Sequence, residues 1–255
     1  MKNFDRFFAF GCSFTRYSWP TWADIIGLNF SNSSYYNYGY WGVGNHYIFN
    51  AIMEADQRHK FTSQDLIIVQ WASHLRFDFY WSTEWRNIRP HDVSVKKYKE
   101  YIRDIFDERG HIIRDIAMIK SAKDLLDNRN CHYKFIPIVP LLWIDEYQRK
   151  QSSHDDILKL YGSVFDKMET SFIEFLGDYS KFRPIYINNV KIEDNHPVPS
   201  DHDNYIKNIL PEFWTNRTNF IKQLDLKVSE LVNTPDKGWH YSWPEINRGI
   251  IVDRL

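Results

Sequence analysis

At 255 residues the chain suits one large α/β domain or two small ones, and its 43% apolar and 25% charged residues are those of an ordinary globular protein. Its 32 Lys and Arg against 33 Asp and Glu leave a net charge of −1, which excludes a global pull toward nucleic acid or anionic membrane. Only Cys12 and Cys131 are present, too few for a disulfide framework or a cysteine zinc site.

In chain order, apolar runs predict buried strands at residues 7–10, 35–38, 66–71 (LIIVQW) and 133–139 (YKFIPIV), with a weaker run at 184–187. Between them WADIIGL, HYIFNAIMEA, the charged segment 95–128 and ILKLYGSVFDKMETSFIEFL place apolar residues at three- and four-residue spacing, the period of helices. Gly110 suggests a break inside 95–128, and this segment reads as a helical insertion between the third and fourth strands, able to cap the sheet. Residues 80–92 and the stretch from 233 follow neither period. Strands alternating with helices predict an α/β class protein: a three-layer α/β/α flavodoxin-like sandwich with a central parallel sheet of about five strands. A single domain over 1–232 and an aromatic-rich tail over 233–255 complete the expected organisation. With no leader pattern and no apolar run of membrane-spanning length, a soluble, cytoplasmic protein is expected.

The stretch FFAFGCSFT puts Gly11, Cys12, Ser13, Phe14 and Thr15 directly after the first strand. Ligands of parallel sheets bind at the carboxyl ends of the strands, and a serine in such a turn presents its hydroxyl there beside backbone N–H groups suited to an oxyanion. The plain alternative is a turn in which Ser13 or Thr15 caps a helix. In NYGYWGVGN, Gly42 and Gly44 let the backbone approach a ligand closely. Late in the chain, KIEDNHPVPSDHDNYIKNIL sets Glu193 three residues and Asp194 two residues before His196. A nearby carboxylate can accept the Nδ1 proton of a histidine, leaving Nε2 to deprotonate a serine. Either acid fits, and His202 is the runner-up base, read as a capping or surface residue.

Ser13 early, His196-Pro197 late and an alternating αβ pattern between them resemble the SGNH, or GDSL-type, hydrolase superfamily over 11–210. The resemblance implies a nucleophilic Ser13, a basic His196 and an oxyanion hole formed with the Gly42 N–H, with Gly44 as the competing glycine and Asn45 beside it. It places Cys12 as a buried neighbour where the family has aspartate. The family's third block departs, because VQWASHLRFD carries Ala72 or Ser73 where an oxyanion-binding asparagine belongs. Ser73 is nearest in register as a substitute, with Gln70, His74 and Arg76 close by, and Arg76 suits an anionic substrate group.

Aromatic residues make up 17% of the chain. Tyr35, Tyr36, Tyr38, Tyr40 and Trp41 gather at the second block, Trp71 lies in the third, and Tyr80, Trp81 and Trp85 follow it. Rings of this kind stack on sugars, which favours a glycan ester, or else they pack in loops. The expected function is a serine-dependent O-acyl (acetyl) esterase acting on a carbohydrate or small-molecule ester through acyl-Ser13. An O-acyltransferase of the same fold and a catalytically decayed binding or structural module are the alternatives. No cofactor is expected, nor a metal: Asp194, His196, Asp201, His202 and Asp203 lack a recognised ligand spacing. The expected partner is a small-molecule or glycan ester, without nucleic acid or membrane. Trp239, Tyr241 and Trp243 either fold back onto the domain or join copies into a homo-oligomer.

Overall fold

Aromatic and β-branched residues buried on both faces make the short strands β1 (Arg6–Gly11), β2 (Tyr35–Gly39) and β3 (Asp65–Val69), joined through helices α1 (Trp22–Gly27) and α2 (Asn45–His59). The computed structural model describes residues 4–30, 34–82, 84–89, 96–140, 155–177, 183–187, 190–194 and 196–233. After β3 comes an antiparallel hairpin, β4 (Phe77–Trp81) and β5 (Glu84–Ile88), then α3 (Lys96–Asp104), α4 (Glu108–Asn128) and β6 (His132–Phe135). Next are α5 (Asp155–Phe165), α6 (Phe172–Leu176), the ribbon β7 (Arg183–Ile187) and β8 (Val190–Asp194), α7 (Pro199–Ile209) and α8 (Thr218–Asn233).

The central sheet is parallel, four strands in the order β2-β1-β3-β6, and helices flank it in an α/β architecture compatible with three layers. β1 is sandwiched: Phe8 pairs with Tyr36 on one side and Ile67 on the other. The chain therefore leaves β1 toward one edge and returns across it to β3. Right-handed crossovers then put α1 and α2 on opposite faces and open a crevice at the carboxyl ends of β1 and β3. Consistent with this, α2 packs on α4, while α1, α7 and α8 pack together.

Cross-strand ring stacking accounts for much of the aromatic content. Phe7 lies on Tyr35 at 5.2 Å between centroids, Phe8 on Tyr36 at 4.6 Å and Phe10 on Tyr38 at 5.1 Å, all within 14° of parallel. Such pairs add about 0.5–1.5 kcal/mol each beyond area burial. Tyr35, Tyr36 and Tyr38 thus serve the sheet and not its carboxyl edge, while Trp41 stays open at 40% exposure.

Four expectations change. The fifth predicted strand, 184–187, is β7, and it pairs antiparallel with β8 outside the central sheet; a two-residue connection permits only antiparallel return. Within 80–92, Tyr80, Trp81 and residues 84–88 belong to the β4–β5 hairpin, while 83 and 90–92 lie outside the described residues. The 95–128 segment breaks at 105–107, where Asp107 accepts the Gly110 N–H at 2.6 Å, so Gly110 sits in the first turn of α4. α4 is no cap: Ile112, Ile116, Ile119, Ala122 and Leu126 are buried in the main core. The aromatic tail from 234 lies outside the described residues. No helix among the described residues is long and apolar enough to cross a membrane.

Candidate active site

The turn after β1 is tied down from several sides. The Cys12 carbonyl accepts the N–H groups of Thr15 at 3.0 Å and Arg16 at 3.2 Å. The Thr15 carbonyl accepts from Thr21 Oγ1 at 2.6 Å and Asn37 Nδ2 at 3.0 Å, and Thr15 Oγ1 donates to Gln70 Oε1 at 2.9 Å. A Cβ on Gly11 would lie 2.0 Å from Thr15 Oγ1, so only glycine lets the chain leave the strand this closely. Cys12 is fully buried, and Ser13, 8% exposed, stands at the rim of the crevice.

His196 reaches this turn from the far end of the sequence. It follows β8 and precedes α7, whose first turn is fixed by Asp201 accepting the Val198 N–H at 3.0 Å. Trp19 Nε1 donates to the Pro197 carbonyl at 2.7 Å, pinning this segment to the serine side of the fold. Ser13 Oγ then lies 2.8 Å from His196 Nε2, and His196 Nδ1 lies 2.5 Å from Asp194 Oδ1. A carboxylate can only accept, so Nδ1 carries the hydrogen and Nε2 is the acceptor for the serine hydroxyl.

No model of a protein family, no curated protein and no solved structure matches the chain.

Of the two candidate acids, Asp194 supplies the carboxylate on His196 Nδ1, while the Glu193 side chain lies outside the described residues. Asp194 Oδ1 also accepts the His196 backbone N–H at 3.0 Å, and its Oδ2 accepts the Tyr17 hydroxyl at 2.7 Å. Burial alone would raise this carboxyl, but the hydrogen bond and charge of His196, with the Tyr17 hydroxyl, hold it below the usual carboxylate range. Glu193 occupies β8 opposite Pro184. Nothing in the sequence marks Tyr17, although it lies four residues after Ser13 in the same turn region. Its ring stacks on His196 at 3.7 Å and 10°, and burial with the Asp194 charge pushes its phenol far up, so it remains a proton donor. Trp41 adds a further ring 5.4 Å from Tyr17.

The remaining candidates separate by what already engages them. Gly42 adopts a left-handed conformation at φ +74°, and its N–H has no protein partner among the described residues. The Gly44 N–H, by contrast, donates to Asp78 Oδ1 at 2.7 Å, and Asp78 Oδ2 accepts the Tyr47 N–H at 3.0 Å. Burial pushes the Asp78 carboxyl up, opposed by these two donors. Asn45 clamps Ala72, accepting its N–H at 2.7 Å and donating to its carbonyl at 3.0 Å, and donates also to Asp115 at 2.6 Å. Both of its amide hydrogens are therefore engaged. Ser73 Oγ accepts the Leu75 N–H at 3.2 Å, and Arg76 Nη1 donates to the Val43 carbonyl at 2.6 Å, ordering the Gly42 loop. His74 is buried and meets Glu108 at 3.1 Å. Trp71 is fully buried against Phe135 and has no surface to offer a substrate.

Asp203 accepts Trp214 Nε1 at 3.1 Å, Asp201 caps α7, and among the described residues no group of three or more His, Cys, Asp or Glu is placed to hold a metal ion. His202 is neither cap nor surface residue. It is 1% exposed and packs edge-on against Phe172, because α7 turns 202, 205 and 206 inward. Burial, helped by nearby His196, pushes its imidazole down to about 3. Below about pH 6.5 the unfolded chain takes up a proton here that the folded chain refuses, so stability falls on acidification. Urea unfolding should show a loss of about 2 kcal/mol between pH 8 and pH 5 from this residue. A His202→Leu variant should flatten that limb; an unchanged pH dependence would refute the assignment.

Proposed function

We propose that the protein is a serine-dependent acyl hydrolase of the SGNH type, an O-acyl esterase that forms an acyl-Ser13 intermediate. The observation that carries this reading is the 2.8 Å contact of Ser13 Oγ with His196 Nε2, completed by Asp194 on Nδ1. A decayed module has no need of that alignment, across 183 residues of sequence.

Ser13 Oγ attacks the ester carbonyl while its proton passes to His196 Nε2. The imidazolium that forms is matched by the Asp194 carboxylate and by the face of the Tyr17 ring. As the tetrahedral intermediate collapses, His196 returns the proton to the departing alkoxide. Water then repeats the sequence against the acyl-enzyme and frees the acid. The N–H groups of Ser13 and Gly42 are suited to the developing oxyanion. Trp41, 40% exposed beside Tyr17, favours an acceptor with a planar or sugar-like face. That open ring also supports a second reading, transfer of the acyl group to a bound sugar hydroxyl; acetate release measured with and without glycans separates the two. A cytoplasmic site of action belongs to the same proposal.

A fluorophosphonate probe should label Ser13, identified by peptide mass, and Ser13→Ala should abolish labelling and ester hydrolysis. Labelling that survives the substitution would overturn the reading.

A further inference from the structure

We infer that Asn87, on the β4–β5 hairpin, supplies the side-chain oxyanion donor that the third block lacks; the inference rests on the acyl-Ser13 reading above. The need is specific. Ala72 has no donor side chain, its N–H goes to Asn45 Oδ1, and Asn45 has no amide hydrogen left. Gln70 Nε2 and Trp71 Nε1 have no hydrogen-bond partner among the described residues, yet both are sealed from solvent, where a substrate oxygen has no access.

Asn87 meets the requirements that these groups miss. Its Nδ2 lies 3.5 Å from where a Cβ on Gly42 would stand, beside the one loop glycine whose N–H is open. It is half-buried, and its amide makes no hydrogen bond among the described residues. The hairpin holds it there by pairing: Asn87 is directly opposite Asp78, so the two side chains share one face. Asp78 is itself bonded to the N–H groups of Gly44 and Tyr47, which seats that face against the 42–44 loop. Ile88, 8% exposed, anchors the end of β5. A hairpin inserted after β3 thus returns an amide to the site from another direction. As Ser13 Oγ bonds to the acyl carbon, the carbonyl electron pair moves onto oxygen, and the Asn87 amide donates to it alongside the Gly42 N–H.

Removing one such donor typically slows reaction about a hundred- to a thousandfold. Asn87→Ala should lower kcat on p-nitrophenyl acetate by that factor with KM little changed. It should slow the second-order rate of fluorophosphonate labelling of Ser13 by a comparable factor, since charge also develops on the phosphonyl oxygen. Asn87→Asp, equal in size but without the donor, should lose at least as much, and circular dichroism and thermal unfolding should show both variants folded. Ser73→Ala should stay within a few-fold of wild type. If wild type labels at Ser13 and both folded Asn87 variants keep their rates, or if the loss follows Ser73 instead, the Asn87 assignment is overturned while the serine mechanism stands. If wild type does not label at Ser13, the underlying reading fails first. Should Asn87→Ala unfold, the isosteric Asn87→Asp decides the matter.

Discussion

A His196→Ala variant is expected to hydrolyse p-nitrophenyl acetate with a kcat about 10⁴- to 10⁶-fold below wild type and a nearly unchanged KM, since triad members act as a unit. Among the described residues, the one nitrogen base touching the Ser13 hydroxyl is Nε2, at 2.8 Å. His202, the other histidine on this segment, is sealed against Phe172 and cannot take over. The His196 side chain is 20% exposed, so its truncation leaves no closed cavity, and the fold should survive. Retention of activity within tenfold, measured on the purified variant with background hydrolysis subtracted, would exclude His196 as the base.

Asp194→Asn should cost about 10³- to 10⁴-fold in kcat, because an amide no longer enforces the tautomer that leaves Nε2 free to accept. Asp194 holds three donors: His196 Nδ1, the His196 backbone N–H and the Tyr17 hydroxyl. The contrast that gives the result its meaning is Tyr17→Phe. It removes one neutral donor and keeps the ring on the imidazole, so it should lower kcat by less than about tenfold. If Tyr17→Phe costs as much as Asp194→Asn, the phenol rather than the carboxylate governs the imidazole, and the assignment of roles reverses.

The sheet was legible because FFAF, YYNY and LIIV are short apolar or aromatic runs bounded by turns, and their pairing follows from strand–helix alternation. The hairpin was not, since FDFYW and EWRNI mix apolar with charged residues and expose Tyr80 at 58% and Trp81 at 51%. Weak patterning of that kind hides a ribbon with only one packed face. β7 carries a strand signal but no signal of its partner, because VKIED mixes apolar with charged residues and resembles no strand run. Ser13 and His196 could be read from motif and order. The choice between Glu193 and Asp194 could not, since adjacent acids look alike in sequence and only the contact of Asp194 Oδ1 with Nδ1 distinguishes Asp194. Asn87 carries no mark in one dimension, because its place beside Gly42 is created by the cross-strand register with Asp78.

The strut from Trp19 Nε1 to the Pro197 carbonyl, at 2.7 Å, joins the two ends of the site across 178 positions of sequence. During synthesis the serine turn emerges early, together with the strands that shape it, but the imidazole follows almost two hundred residues later. Until the Pro197 segment bonds to Trp19, Ser13 lacks the imidazole contact on which the proposed mechanism depends. On the proposed mechanism, reactivity is thus withheld from the nascent chain until this segment is in place, which ties the chemistry to the folding of both ends of the site.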